Sequence, residues 1–238
     1  MPPRKNTIFL QREKNSRLVS IITITYNRRK FIPNLIRCIE EQTYAKEDIE
    51  WIIIDDGTDK IEDLVKHIPY VKYHYLSSKM NLGCKRNYAN EKCKGNYIIC
   101  FDDDDYSFPH RIEHSIKALQ DNPKAMITGS SKMYLYFKSD QSLYTTHEFH
   151  NNHLTNGTFC YRKQLLNITK YDNKAKCSEE KKFLLNYAVP VVQLPYTSTI
   201  VIMAHDSNTF NKERLKGTEA LDKCAEQLED VLPSWFLE

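Results

Sequence analysis

The sequence predicts an α/β fold, with a mostly parallel central sheet flanked by helices and a smaller antiparallel portion in the second half. Three observations lead there. Short β-branched or apolar runs recur at 18–25, 50–54, 71–76 and 97–101, the first, second and fourth continuous enough for strands buried on both faces. Each run is followed by a stretch with helical spacing or helix-start signals, the alternation expected of βα units. Polar residues cluster after the runs, at Thr25-Tyr26-Asn27, Asp55-Asp56 and Asp102 to Asp105, and ligands of such sheets bind outside the carboxyl ends of the strands.

Taken in order, residues 1–17 are basic and polar, without periodicity, and read as a flexible arm. After the strand at 18–25, Phe31, Leu35 and Ile39 mark one helix face, with Pro33 tolerated in the first turn. The strand at 50–54 precedes Gly57 and Thr58, which is expected to cap a helix reaching His67. The third strand leads to NLGCKRNYANEKCKG, where Gly83 permits a tight turn and a helix stops at Gly95. After the fourth strand, Pro109 starts a helix with Ile112, Ile116 and Leu119 inward. Further on, strands are expected at 125–129, 157–161, 189–194 and 197–204, a hairpin from 133–138 and 143–147, a helix at 178–187 capped by Ser178, and a charged amphipathic helix from about 213 to 231. The domain expectation is one unit over 18–238, with halves at 18–124 and 125–212 and a C-terminal helical segment at 213–238.

Composition excludes more than it assigns. A net charge of +3 and a pI near 8.3, with the cations scattered, give no case for a nucleic-acid partner. Seven cysteines without paired CxxC spacing read as reduced thiols, and the start has no apolar leader core, so the expected location is cytoplasmic. No apolar run approaches the roughly 18 residues of a membrane span. The four aspartates at 102–105 follow an apolar strand directly. If the backbone stays extended, Asp102 and Asp104 point the same way and outline a site for Mg²⁺ or Mn²⁺, with positions left for substrate phosphates.

The stretches VSIITITYNRR, IEWIIIDDG, NLGCKRN and GNYIICFDDDDYSFPHRI, in this order and spacing, resemble the nucleotide-binding half of family 2 glycosyltransferases of the Rossmann-like GT-A fold, over roughly residues 18–115. The resemblance implies that Asp102 and Asp104 hold a Mn²⁺ (or Mg²⁺) bridging the diphosphate of a nucleotide sugar, with Asp103 near the ribose. Thr25, Tyr26 and Asn27 would lie beside base and ribose, and Asp56 would read the uracil N3–H, with Asp55 next to it. Lys85 and Arg86 would neutralise the diphosphate or orient Asp56. The family's acidic pair at a helix start falls on Glu179-Glu180, with Glu180 the expected general base and Glu179 second, and His205 would complete the metal shell. The implied activity is metal-dependent, UDP-sugar hexosyl transfer to a glycan, protein or small-molecule acceptor, inverting and non-processive, since the processive Gln-x-x-Arg-Trp motif is missing. The alternatives are an inactive nucleotide-binding module of the same fold and a nucleotidyltransferase.

Overall fold

The computed structural model describes residues 17–176, 178–208 and 210–237. The arm expected over 1–17 therefore lies outside the described residues, apart from Arg17. Strands β1 (Val19–Thr25), β2 (Ile49–Asp55), β3 (Val71–Tyr75) and β4 (Tyr97–Cys100) pair in parallel in the spatial order β4-β1-β2-β3. Every residue of β1, β2 and β4 is buried, which is why their sequences run apolar without alternation. Successive residues serve opposite faces. Ile21, Trp51 and Ile53 meet the helices α1 (Ile32–Glu40), α2 (Glu62–Val65) and, further along, Arg111–Asp121. Ile22, Ile52 and Ile54 meet α3 (Leu82–Lys92) and the segment around Phe183. Burying each such side chain contributes about 1.5–3 kcal/mol, so a one-residue slip of β2 would be strongly resisted.

The helix Arg111–Asp121 is α4. Beyond it, β5 (Tyr106–Ser107), β6 (Ile127–Gly129), β7 (Tyr134–Phe137), β8 (Ser142–Thr146), β9 (Cys160–Arg162), β10 (Val191–Gln193), β11 (Ile200–Ala204) and β12 (Leu221–Lys223) complete two sheets. The first has the order β10-β6-β9-β4-β1-β2-β3, with β9 antiparallel to both its neighbours. The second has the order β12-β8-β7-β11-β5 and includes the expected antiparallel hairpin β7–β8. Its strand β11 pairs with β5, just after the aspartates, and so delivers His205 to the same end of the molecule as β1 and β4.

Several local expectations change. The helix expected over 58–67 shrinks to Glu62–Val65, because the backbone N–H groups of Thr58 and Asp59 donate to Asn27 Oδ1 rather than opening a helix. Gly83 sits inside α3, not in a turn; a Cβ there would lie 1.9 Å from the carbonyl oxygen of Asp172, so glycine serves close approach of the chain. The 157–161 strand begins later, after a 3₁₀ turn at Asn156–Thr158. The helix expected over 178–187 is only α5 (Glu180–Phe183), and Ser178 has φ 51 rather than a cap conformation. The long C-terminal helix is absent: Lys212–Leu215 is a 3₁₀ turn, Gly217 breaks it at φ 74, Leu221–Lys223 joins β8, and two single-turn helices, Leu228–Val231 and Ser234–Leu237, flank Pro233. Charge periodicity alone does not carry a helix across such a glycine and a proline.

Candidate active site

A cavity of about 780 Å³ opens at the carboxyl ends of β1 and β4. One wall follows β1 (Thr25, Tyr26, Arg28), the floor is the aspartate turn, and the opposite side brings Thr155, Gly157 and Lys212 from the second half. Residues 103 and 104 form a turn, so the backbone is not extended there. That corrects the expected convergence of Asp102 with Asp104: Asp102 accepts from Arg86 Nη2 at 3.3 Å, whereas Asp104 Oδ2 lies 3.0 Å from His205 Nε2 and 3.2 Å from Asn208 Nδ2. Asp103 is buried beneath them, and Asp105 accepts from the Met203 N–H at 3.2 Å.

The turn carries more negative charge than its surroundings compensate. Burial, then the charge of Asp104, pushes the Asp103 carboxyl up to about 7, and the same two causes push Asp105 well above the usual range. Burial opposes the charge of Asp104 too, yet the hydrogen bond from His205, with Lys212 and Arg28 nearby, holds its carboxyl below the usual range. Asp104 and His205 thus present one oxygen and one nitrogen donor at a single point, a fit to two positions around a Mn²⁺ ion. Among the described residues no three His, Cys, Asp or Glu side chains converge as a metal-binding group. The Ser207 N–H donates to His205 Nδ1 at 3.1 Å, and Nε2 lies 3.0 Å from both Asp104 Oδ2 and Asn208 Nδ2.

On the other side, Lys85 is buried with its ammonium against Asp56 and 3.0 Å from the Thr25 carbonyl oxygen. Burial lowers its pKa. Asp56 also accepts from the Met80 N–H at 2.7 Å, so it lies just behind the wall formed by Met80 and Lys85. Asp55 departs from the expected ligand role: its oxygens take the Gly57 N–H at 2.9 Å, the Ile61 N–H at 3.3 Å and the Tyr73 hydroxyl at 2.7 Å, fixing the loop after β2. Asn27, at φ 54, is likewise turned to that loop and not to the cavity. Tyr26 does line the cavity, with Lys79 Nζ 3.7 Å from its ring centre.

Arg86 links the two halves. Its Nε donates to Glu179 Oε1 at 2.9 Å and its Nη2 to Asp102, and Asn156 Nδ2 adds a second donor to Glu179 at 3.0 Å. Glu179 is therefore a buried anchor, leaving Glu180, half-buried, as the first residue of α5. Burial and the neighbouring Glu179 raise the pKa of Glu180, the direction a general base needs. Neither glutamate lines the cavity itself.

Sequence reasoning missed four cations here. Arg28 reaches within 3.6 Å of Asp104, and Lys79 and Lys212 line the cavity. Arg111 is fully buried, donates to Ser107 Oγ at 2.8 Å, to the Gly157 carbonyl at 2.6 Å and to that of Cys100, and so ties the aspartate turn to the far wall. Burial lowers its pKa to about 10. Its one legible signal was Ser107 one helical turn before it.

The chain matches the family model described as "Glycosyl transferase family 2" over residues 20–178. It is 25% identical over 213 residues to an uncharacterised glycosyltransferase of Methanocaldococcus jannaschii, covering 75% of this chain and 73% of that one. It is 31% identical over 121 residues to an uncharacterised glycosyltransferase of Haemophilus influenzae, and there spans about half of each, 49% and 48%. Its fold is similar to that of S. aureus TarS residues 1–349 in complex with UDP-GlcNAc, at a TM-score of 0.63 and 18% identity over 80% of this chain and 60% of that one. It is also similar to the mannosyltransferase PcManGT of Pyrobaculum calidifontis in complex with GDP-Man and Mn²⁺, at 0.64 and 13% over 80% and 58%. These likenesses show a GT-A glycosyltransferase fold. Among the described residues no helix is long and apolar enough to cross a membrane.

Proposed function

Since the chain belongs to glycosyl transferase family 2, we propose that it moves a hexosyl group from a UDP-linked donor to an acceptor hydroxyl, inverting the anomeric carbon and adding one residue per encounter. The observation that carries this reading is the pairing of Asp104 with His205 on the floor of a cavity that Arg86 joins, through Glu179, to the helix start bearing Glu180. In this reading the uracil lies over the Met80–Lys85 wall, and that wall opens for Asp56, fully buried behind it, to accept the N3–H. A carboxylate there favours uracil over cytosine, which lacks that donor. Lys212 and Arg28 face the diphosphate and offset its charge. Asp104 and His205 would hold the Mn²⁺, which supplies Lewis-acid stabilisation of the departing diphosphate when bound. Glu180 takes the proton of the acceptor hydroxyl while its oxygen bonds to the anomeric carbon and the bond from that carbon to the diphosphate breaks, releasing UDP.

The test is a panel of UDP-, GDP- and CDP-sugars incubated with Mn²⁺ and no added acceptor, scored by nucleotide release. The expected result is slow release of free UDP from one UDP-sugar. Release from GDP- or CDP-sugars alone would overturn the donor assignment, and pyrophosphate formed from a nucleoside triphosphate and a sugar phosphate would indicate nucleotidyl transfer.

A further inference from the structure

Asn208 stands in front of His205 as seen from the cavity. Asn208 and Asp104 both line that cavity, whereas His205 does not. The His205 side chain is 7% exposed and its ring centre lies 4.4 Å from that of Phe31, so the imidazole is held in place behind the other two. Three polar atoms meet there. His205 Nε2 lies 3.0 Å from Asp104 Oδ2 and 3.0 Å from Asn208 Nδ2, which is itself 3.2 Å from Asp104 Oδ2. The far side of the Asn208 amide is anchored, because Oδ1 accepts from the His205 N–H at 2.8 Å.

The three contacts cannot all be hydrogen bonds. A ring nitrogen either carries a proton or offers a lone pair. If Nε2 donates to Asp104, it cannot accept from Asn208; if it accepts from Asn208, it faces the Asp104 oxygen with no proton between them. One side of the triangle is therefore always unfavourable while these groups face only one another. Beside them, Arg28 Nη1 lies 3.6 Å from the same Asp104 oxygen and is buried with no hydrogen-bond partner among the described residues. The dimensions of the triangle suit a shared ion, since neighbouring ligands of an octahedral cation with bonds of about 2.1 Å stand about 3.0 Å apart.

We propose that Asn208 is a third protein ligand of the divalent cation, its amide making a half-turn so that Oδ1 replaces Nδ2 at the triangle. Asp104, His205 and Asn208 then occupy one face of the ion, and the other three positions are left for diphosphate oxygens and water. An amide oxygen is among the hard ligands such cations take, and a mixed oxygen and nitrogen set suits Mn²⁺. The half-turn gives up the bond from the His205 N–H to Oδ1, and the bond to the cation replaces it. The inference rests on the reading in which Asp104 and His205 hold Mn²⁺, and adds a residue to that shell.

Mn²⁺ binding to the full chain, read from the loss of the free-ion electron paramagnetic resonance signal with and without UDP, tests it. Asn208→Ala should raise the Mn²⁺ dissociation constant about 10- to 100-fold, the scale on which even the outer partners of a metal site count. Asn208→Asp should lower it, because one carboxylate oxygen keeps the His205 N–H while the other faces the ion with an added charge. In wild type made by cell-free synthesis with ¹³Cγ-asparagine, bound Mn²⁺ should show one strong ¹³C coupling by electron–nuclear double resonance, and Asn208→Asp should lack it. Mn²⁺ binding that Asp104→Asn abolishes but Asn208→Ala leaves unchanged or tightens, with no ¹³C coupling, would overturn the third ligand and leave the two-residue site and the transferase reading standing. No Mn²⁺ binding by wild type, with or without UDP, would overturn the third ligand and the metal reading together.

Discussion

Arg86 Nε and Glu179 Oε1 lie 2.9 Å apart, both side chains almost wholly buried, although 93 residues separate them in the chain. The pair clamps α3, whose Leu82 and Lys85 line the cavity, to the start of α5. Breaking a buried pair by removing one partner costs about 3–5 kcal/mol, since the other charge stays buried without compensation. Arg86→Met should therefore destabilise the protein by that amount in urea unfolding, because it strips both Glu179 and Asp102. Glu179→Gln should cost less, as Arg86 keeps Asp102. A loss under about 1 kcal/mol for Arg86→Met would show that the clamp contributes little.

Glu180→Gln should leave UDP binding within about twofold of wild type and slow transfer by about 10²- to 10⁴-fold, the usual worth of a positioned base. Parallel calorimetry and turnover measurements separate the two effects. If Glu179→Gln folds normally and is the slower variant, the base lies one residue earlier than proposed.

The parts of this molecule legible in the sequence are those with local causes. Strands β1, β2 and β4 are buried on both faces and therefore wrote mostly apolar or β-branched runs, and their parallel pairing followed from the helices between them. The expected convergence of Asp102 and Asp104 assumed an extended backbone, and the turn at 103–104 sends one to Arg86 and the other to His205. Arg111 had only Ser107 as a local sign, because its other partner Gly157 lies 46 residues away. The segment after α5, with three left-handed residues at 185–187, obeys tertiary constraints that no periodicity encodes.

The contribution of Asp103 to stability should fall as pH rises through the acid range up to neutrality. The Asp103 carboxyl, raised by burial and by Asp104 to about 7, binds its proton more tightly in the folded than in the unfolded chain, where its pKa is near 3.8. Its favourable contribution is therefore complete below about pH 4 and lost as pH climbs through 7. Asp105 shifts in the same direction and Asp104 in the opposite one, so the variant isolates the effect. In urea unfolding from pH 4 to 8, Asp103→Asn should gain stability relative to wild type as the pH rises. A constant difference across that range would refute the assignment.

The most direct measurement is calorimetric titration of UDP with and without Mn²⁺ on wild type, Asp104→Asn and His205→Ala. Wild type should bind UDP more tightly with Mn²⁺ than without it, because Asp104 Oδ2 and His205 Nε2 lie 3.0 Å apart and would hold the ion beside the diphosphate. Asp104→Asn should lose the whole Mn²⁺-dependent gain, and His205→Ala should weaken Mn²⁺ more than Mg²⁺ while leaving metal-free UDP binding unchanged. Undiminished Mn²⁺-dependent binding of UDP by Asp104→Asn would contradict the account at its centre.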